Sequence, residues 1–240
     1  YGYFGSGEGA PGAYITTVDR IDYSNDTTTA SAKSPLTVAR DKFGATGNTN
    51  YGYFAGGYAF PSKYSTIDRI DYSNDTPTAS PKGPLSAATY KMAATGNADY
   101  GYWGAGRVPG SPSHTTITQR LDYSSDTTTA AAKGPLAYCQ SYMGSTGNTS
   151  YGYWGSGSGQ PGSNVSTADR LDYSNDTAAA SAKGPLNLTR IALAAASPRA
   201  NALPGPATLY PWYDTSGKGD DGNNSSGGAS FSSAGGGSFT

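Results

Sequence analysis

One stretch recurs four times along this chain, and it limits the possible folds more than anything else in the sequence. The copies read TVDRIDYSNDTTTASAKSPL from Thr17, TIDRIDYSNDTPTASPKGPL from Thr66, ITQRLDYSSDTTTAAAKGPL from Ile117 and TADRLDYSNDTAAASAKGPL from Thr167. A shorter element precedes each copy: YGYF at Tyr1 and Tyr51, YGYW at Tyr100 and Tyr151. The successive spacings are 50, 49 and 51 residues. A fixed period that tolerates small insertions is the mark of a repeat architecture, in which each unit buries its apolar face only against its neighbours.

One period parses into four strand-like pieces. Around the second repeat they are Tyr90–Thr95, Tyr51–Gly56, Ser65–Ser73 and a run near Thr78–Leu85. The TGN triplets at Thr46, Thr95 and Thr146, the glycines after YGY and the SND segments supply the intervening turns. In TIDRIDY, Ile67, Arg69 and Asp71 alternate with Asp68, Ile70 and Tyr72, which predicts a strand with two unlike faces. Gly (34 residues) and Tyr (20) dominate, and charged residues are 14% of the chain, a composition that favours short strands and tight turns over helices.

Composition also excludes partners. The formal net charge is −1 and no basic cluster is present, so a phosphate backbone has little to grip and nucleic acid is not expected. No run approaches the ~20 apolar residues of a membrane helix. Cys139 is the single cysteine, so no intrachain disulfide is possible, and a small buried side chain is the simplest role for it. His114 is the single histidine, which rules out a histidine triad or a multi-histidine metal site within one chain. The glycine-rich segments lack the Gly-Lys-Ser/Thr and helix of a phosphate loop. No enzyme activity and no cofactor are therefore expected.

The succession of an apolar strand, YGYFAGG, IDRIDYSNDT and PKGPL resembles the kelch repeat. Gly56-Gly57 matches the paired glycine of that repeat, and Tyr72 its tyrosine-bearing strand. The tryptophan that follows the tyrosine strand in kelch units is missing, with Thr28, Pro77, Thr128 and Ala178 in that neighbourhood. The wording of the units is also similar to kelch-like repeats in structural proteins of tailed phages, particularly marine ones. The resemblance implies an all-β, kelch-like β-propeller with four in-chain blades at 1–50, 51–99, 100–150 and 151–200. It further implies a virion or extracellular location, with copies of the chain or other virion proteins as partners.

The polar residues recur in register. Arg20, Arg69, Arg120 and Arg170, with Asp22, Asp71, Asp122 and Asp172 and with Asp26, Asp75, Asp126 and Asp176, predict a bidentate Arg–carboxylate bond inside each unit, tying strand to turn. A ring of ligand-binding charges is the functional alternative. The turns also offer carboxylate and amide oxygens to calcium, but they lack the spacing of a calcium loop, and an Asx turn explains the same letters. Asn25, Asn74, Asn148, Asn164, Asn175 and Asn187 fit the glycosylation acceptor pattern. The Lys-Gly-Pro-Leu copies read as a turn followed by a packed leucine.

What varies between units is the loop after YGY(F/W). Tyr14, Tyr58, Phe60, Arg107, His114 and Gln160 lie there, and they are the candidates for a recognition face toward a host-surface glycan or another protein. At the ends, TRIALAAAS at Thr189–Ser197 aligns with YKMAAT, so Arg190–Ala196 is expected to close the ring against Tyr1–Phe4. The chain starts inside a repeat, as a trimmed product or the continuation of an upstream segment. Residues 201–213 carry Leu209, Tyr210, Trp212 and Tyr213, an apolar cluster expected to form an intersubunit contact or to plug its own propeller. Residues 214–240 are so rich in Gly and Ser that they read as a flexible tail, with Phe231 and Phe239 as possible anchors on a neighbouring subunit.

Overall fold

Each repeat forms its own antiparallel sheet. The first contains β1 (Gly2–Glu8), β2 (Tyr14–Ile21) and β3 (Ser31–Lys33) in that order. The second pairs β4 (Gly44–Gly47) with β5 (Tyr51–Ala55); a small hairpin of β6 (Tyr58–Ala59) and β7 (Ser62–Lys63) follows, then β8 (Ile67–Asp71) and β9 (Ser80–Lys82) complete the order β4-β5-β8-β9. The third is β10 (Ala93–Gly96), β11 (Tyr100–Gly104), β12 (Thr118–Asp122) and β13 (Ala131–Lys133). The fourth contains β14 (Gln140–Ser141) and β15 (Gly144–Gly147), which both pair with β16 (Tyr151–Gly159), followed by β17 (Asn164–Asp172) and β18 (Ser181–Lys183). This computed structural model describes residues 1–110, 113–160 and 162–197, within a unit spanning Tyr1–Leu203. Leu209, Tyr210, Trp212, Tyr213 and the Gly/Ser-rich tail lie outside the described residues.

The chain is all-β, as the alternating pattern predicts, and the register is constant. Tyr53 sits opposite Arg69 and Phe54 opposite Asp68; Tyr102 faces Arg120, and Tyr153 faces Arg170, in the same way. A one-residue slip would turn every side chain to the wrong face, so this repetition shows that pattern and turns agree in each unit. The first strand of the period is shorter than expected. Tyr90–Met92 stay outside the ladder and the strand begins at Ala93, because Lys91 turns through a left-handed φ of 59°.

The core lies between sheets. Trp103, fully buried, donates from Nε1 to the carbonyl of Gly44 at 3.0 Å, and Trp154 donates to that of Ala93 at 3.1 Å. The aromatic after YGY presses on a glycine of the preceding repeat: a Cβ on Gly5 would lie 2.8 Å from Phe54, and one on Gly104 2.8 Å from Trp154. The leucines of the SPL and GPL turns, Leu36, Leu85 and Leu136, are buried, whereas Leu186 is half-buried.

No closed ring forms among the described residues. β1 pairs only with β2, and Arg190–Ala196 is not a strand and makes no ladder with Tyr1–Phe4. That segment instead continues the passage from sheet to sheet. Ala192 N donates to Tyr142 O, just as Tyr142 N donates to Lys91 O and Lys91 N to Lys42 O. The expected in-chain closure is thus corrected: Arg190–Ala196 bonds to Tyr142 and does not pair with Tyr1–Phe4.

Candidate functional site

The recurring polar residues build the joints between repeats. The side chain of Arg20 leaves β2 perpendicular to its own sheet and meets Asp75 in the turn of the next repeat, Nη1 to Oδ2, at 2.6 Å. Arg69 meets Asp126 at 2.6 Å and Arg120 meets Asp176 at 2.7 Å in the same way. Tyr3, Tyr53 and Tyr102 donate to the same three carboxylates at 2.9, 3.0 and 2.8 Å. Lys33, Lys82 and Lys133 approach the other oxygen at 3.5, 3.5 and 3.1 Å. The expected bond inside each unit is therefore replaced by one between units, and it is single rather than bidentate because Lys takes the second oxygen. An arginine's own turn lies in the plane of its own sheet, out of line with a side chain that points off the sheet face.

Asp75, Asp126 and Asp176 are 6, 7 and 6% exposed. Burial alone would push the Asp75 carboxyl up, but the hydrogen bonds from Tyr3 and Arg20 and the charges of Arg20 and Lys33 hold it below the usual range. Tyr3 is pushed up to about 12, by burial first and then by its bond to Asp75. The other four aspartates have a local role. Asp22, Asp71, Asp122 and Asp172 each accept from the hydroxyl and the amide of the serine two residues on, an Asx turn that holds all four carboxyls low. Among the described residues no group of three or more His, Cys, Asp or Glu is placed to hold a metal.

In the first repeat Asp26 is exposed, and in the fourth Arg170 pairs with no carboxylate among the described residues; its guanidinium stacks over Tyr151, 4.5 Å from the ring centre, as Arg69 does over Tyr51 at 4.1 Å.

The variable loops gather a second set. Tyr58 stacks on Tyr90 with ring centres 5.3 Å apart. The ammonium groups of Lys42 and Lys63 lie 5.4 and 5.8 Å from the Tyr58 ring, and that of Lys91 lies 5.3 Å from Tyr90 and 4.5 Å from Tyr142. The backbone of Arg107 pairs with that of Tyr90 and of His114, and His114 Nε2 is 3.3 Å from Ser141 Oγ. Burial, then the charges of Arg107 and Lys91, depresses the His114 pKa, so its ring is neutral at pH 7. Lys42 pairs with Asp41, whereas Lys63, Lys91 and Arg107 meet no carboxylate among the described residues. The strip is thus aromatic and positive.

Of the predicted loop residues, Tyr58, Arg107 and His114 join this strip. Phe60 is 79% exposed and makes no ring contact among the described residues, Gln160 is exposed, and Tyr14 is half-buried on β2. Lys42, Lys91, Tyr90 and Tyr142 were not expected there. Lys42, Lys91 and Tyr142 all have left-handed φ, at 56°, 59° and 58°, at the same place in three repeats.

No protein-family model and no curated protein matches this sequence. The fold is similar to the solved structure titled "Structure of YjhT", with a TM-score of 0.59 and 11% identity over 72% of this chain. The chain matches 60% of the length of that structure. At this identity the likeness concerns the fold alone.

Proposed function

We propose that this chain is a non-enzymatic structural or adhesion protein, built as a kelch-like propeller module and belonging to a phage virion as a tail, fibre or decoration subunit. One observation carries the reading: at three successive joints the recurring Tyr, Arg and Lys hold one unit to the next. Tyr, Arg and Lys of one repeat close on one aspartate of the next, which is the chemistry of a scaffold. The resemblance of the unit wording to phage structural repeats supports the setting. Mass spectrometry of purified particles is expected to find the chain in many copies per particle. Recovery only among soluble intracellular proteins, with none in particles, would overturn the assignment.

The loop strip favours a second reading, a carbohydrate-binding face. A sugar ring stacks on an aromatic face, and unpaired ammonium and guanidinium groups beside it select carboxylated or sulfated sugars. On a glycan array, binding is expected to concentrate on acidic oligosaccharides. Tyr58→Ala should weaken it about tenfold, roughly 1.4 kcal/mol, while Phe60→Ala changes it little. A flat response across the array would dispose of this reading.

A further inference from the structure

We propose that the joint between the third and fourth repeats is a pH-sensitive latch, closed while Asp169 holds a proton and loosened once that residue is ionised. Besides the aspartate staples, in which Tyr, Arg and Lys of one repeat close on one aspartate, each joint holds a second polar pair at greater depth. The three pairs differ, and the contrast among them carries the proposal.

In the first joint the pair is Arg40 and Asp68, both fully buried. Arg40 Nη1 donates to Asp68 Oδ2 at 2.9 Å and the Thr37 hydroxyl donates to Oδ1 at 2.6 Å, so the charge and both oxygens are answered. In the second joint the same places hold Thr89 and Gln119. Gln119 Nε2 donates to Thr89 Oγ1 at 3.2 Å, and its Oε1 accepts from the Ser86 hydroxyl at 2.9 Å and the Ala87 amide at 3.0 Å. This pair buries no charge. The backbone fixes the equivalence, since the amides of Gly7, Gly57 and Gly106 donate to the carbonyls of Arg40, Thr89 and Gln140.

In the third joint the acid returns without its partners. Asp169 is fully buried and sits opposite Trp154, as Asp68 sits opposite Phe54. Gln140 stands in the place of Arg40, and Ala137 stands where Thr37 and Ser86 supply a hydroxyl. Both donors of the first joint are therefore gone. Asp169 Oδ2 accepts from the Tyr138 amide at 3.3 Å, and Oδ1 has no hydrogen-bond partner. Gln140 is also fully buried; its Oε1 accepts from Thr167 Oγ1 at 3.2 Å, and its Nε2 is unpartnered.

Among the described residues no charged side chain offsets this burial. The strand neighbours of Asp169 are Trp154 on β16 and Ala182 on β18, while Arg170 and Lys183 belong to the other face of the sheet. From the preceding loop, Tyr138 contributes its amide and leaves its ring 46% exposed, and neither that phenol nor the Cys139 thiol perturbs the carboxyl. A carboxylate in such a place is strongly disfavoured against the neutral acid, which needs no counter-charge. Burial accordingly pushes the Asp169 carboxyl up, against the smaller pull of the Tyr138 and Ala137 amides. The folded chain thus holds this proton to a higher pH than the unfolded chain does. The joint has its full stability below the ordinary carboxylate range and loses it as pH rises through the raised value.

Denaturant unfolding of the full chain, from acid to mildly alkaline pH, tests this. Relative to Asp169→Asn, the wild-type unfolding constant is expected to rise with pH, about tenfold for each unit by which burial has raised the acid, and then to level off. The low carboxyls of Asp22, Asp71, Asp75, Asp122 and Asp172 act in the opposite sense and are common to both proteins, so the difference isolates Asp169. Gln140→Arg, which supplies the guanidinium of the first joint, should abolish the rise. The loosening should also be local. The amides of Gly134 and Ala180 bond across the third joint to Asp176 O and Pro135 O, as those of Gly83 and Ala130 bond across the second to Asp126 O and Pro84 O. With rising pH the first two should lose protection from hydrogen exchange relative to the second two. An Asp169→Asn chain with the wild-type pH profile, or equal protection at the two joints throughout, would overturn the proposal. So would a wild-type loss that potassium ions cancel at constant ionic strength, because a bound cation would then be holding the carboxylate. None of these outcomes depends on whether the chain is found in particles.

Discussion

Trp103→Ala is expected to lower the unfolding free energy by about 4 kcal/mol and the thermal midpoint by roughly 10 °C. Trp103 is fully buried between the second and third sheets, packed with Tyr53, Leu121 and Ala94. Gly44 leaves room for the indole, since a Cβ there would lie 2.8 Å from Trp103 Cδ1, so neighbouring backbone cannot easily collapse into the space the truncation leaves. The lost bond from Nε1 also leaves the Gly44 carbonyl without that donor. Phe4→Ala, at the corresponding place of the first repeat, should change stability by no more than about 0.5 kcal/mol, because that ring is largely exposed. Equilibrium denaturation of the two variants measures the contrast. A Trp103 variant as stable as the Phe4 one would mean that the sheets are held by something other than these aromatic wedges.

The sheets themselves were legible in the sequence because each is local. Turn glycines, Asx turns and strict alternation act within a few residues, and the four YGY(F/W) and (D/Q)R(I/L)D strands fall where the pattern puts them. The partners of Arg20, Arg69 and Arg120 were not legible. Spacing along one repeat favours the nearest carboxylate, whereas the true partner is 55, 57 or 56 residues away across a sheet-to-sheet contact. The lysine strip was hidden for another reason. A left-handed turn usually announces itself as glycine, and here Lys42, Lys91 and Tyr142 adopt it instead. Their shared neighbour-to-neighbour backbone bonds, invisible in one dimension, hold them there. The pairing that phase predicts between Arg190–Ala196 and Tyr1–Phe4 does not form, because repeat phase records the order of strands and not which ends meet.

Asp126→Ala is expected to cost about 3 kcal/mol, and Asp26→Ala less than about 0.5 kcal/mol, although the two residues occupy the same place in identical Asp-Thr-Thr-Thr-Ala turns. Asp126 accepts from Tyr53 at 3.0 Å and Arg69 at 2.6 Å and faces Lys82 at 3.5 Å. Removing it leaves a tyrosine hydroxyl and two cations gathered around no anion, in a joint where the Arg and Lys side chains are 22 and 12% exposed. A group stripped of its partner while still shielded from water costs more than the pair itself contributes. Asp126→Asn should fall between the two, since the amide oxygen still accepts but carries no charge. Because each repeat contacts only its neighbours, damage at the second joint should separate the unfolding of the first two repeats from that of the last two. Hydrogen exchange would then show early loss of protection on both sides of that joint in Asp126→Ala. Uniform protection, with Asp126→Ala as stable as Asp26→Ala, would mean that the staples only decorate sheets held by their aromatic cores.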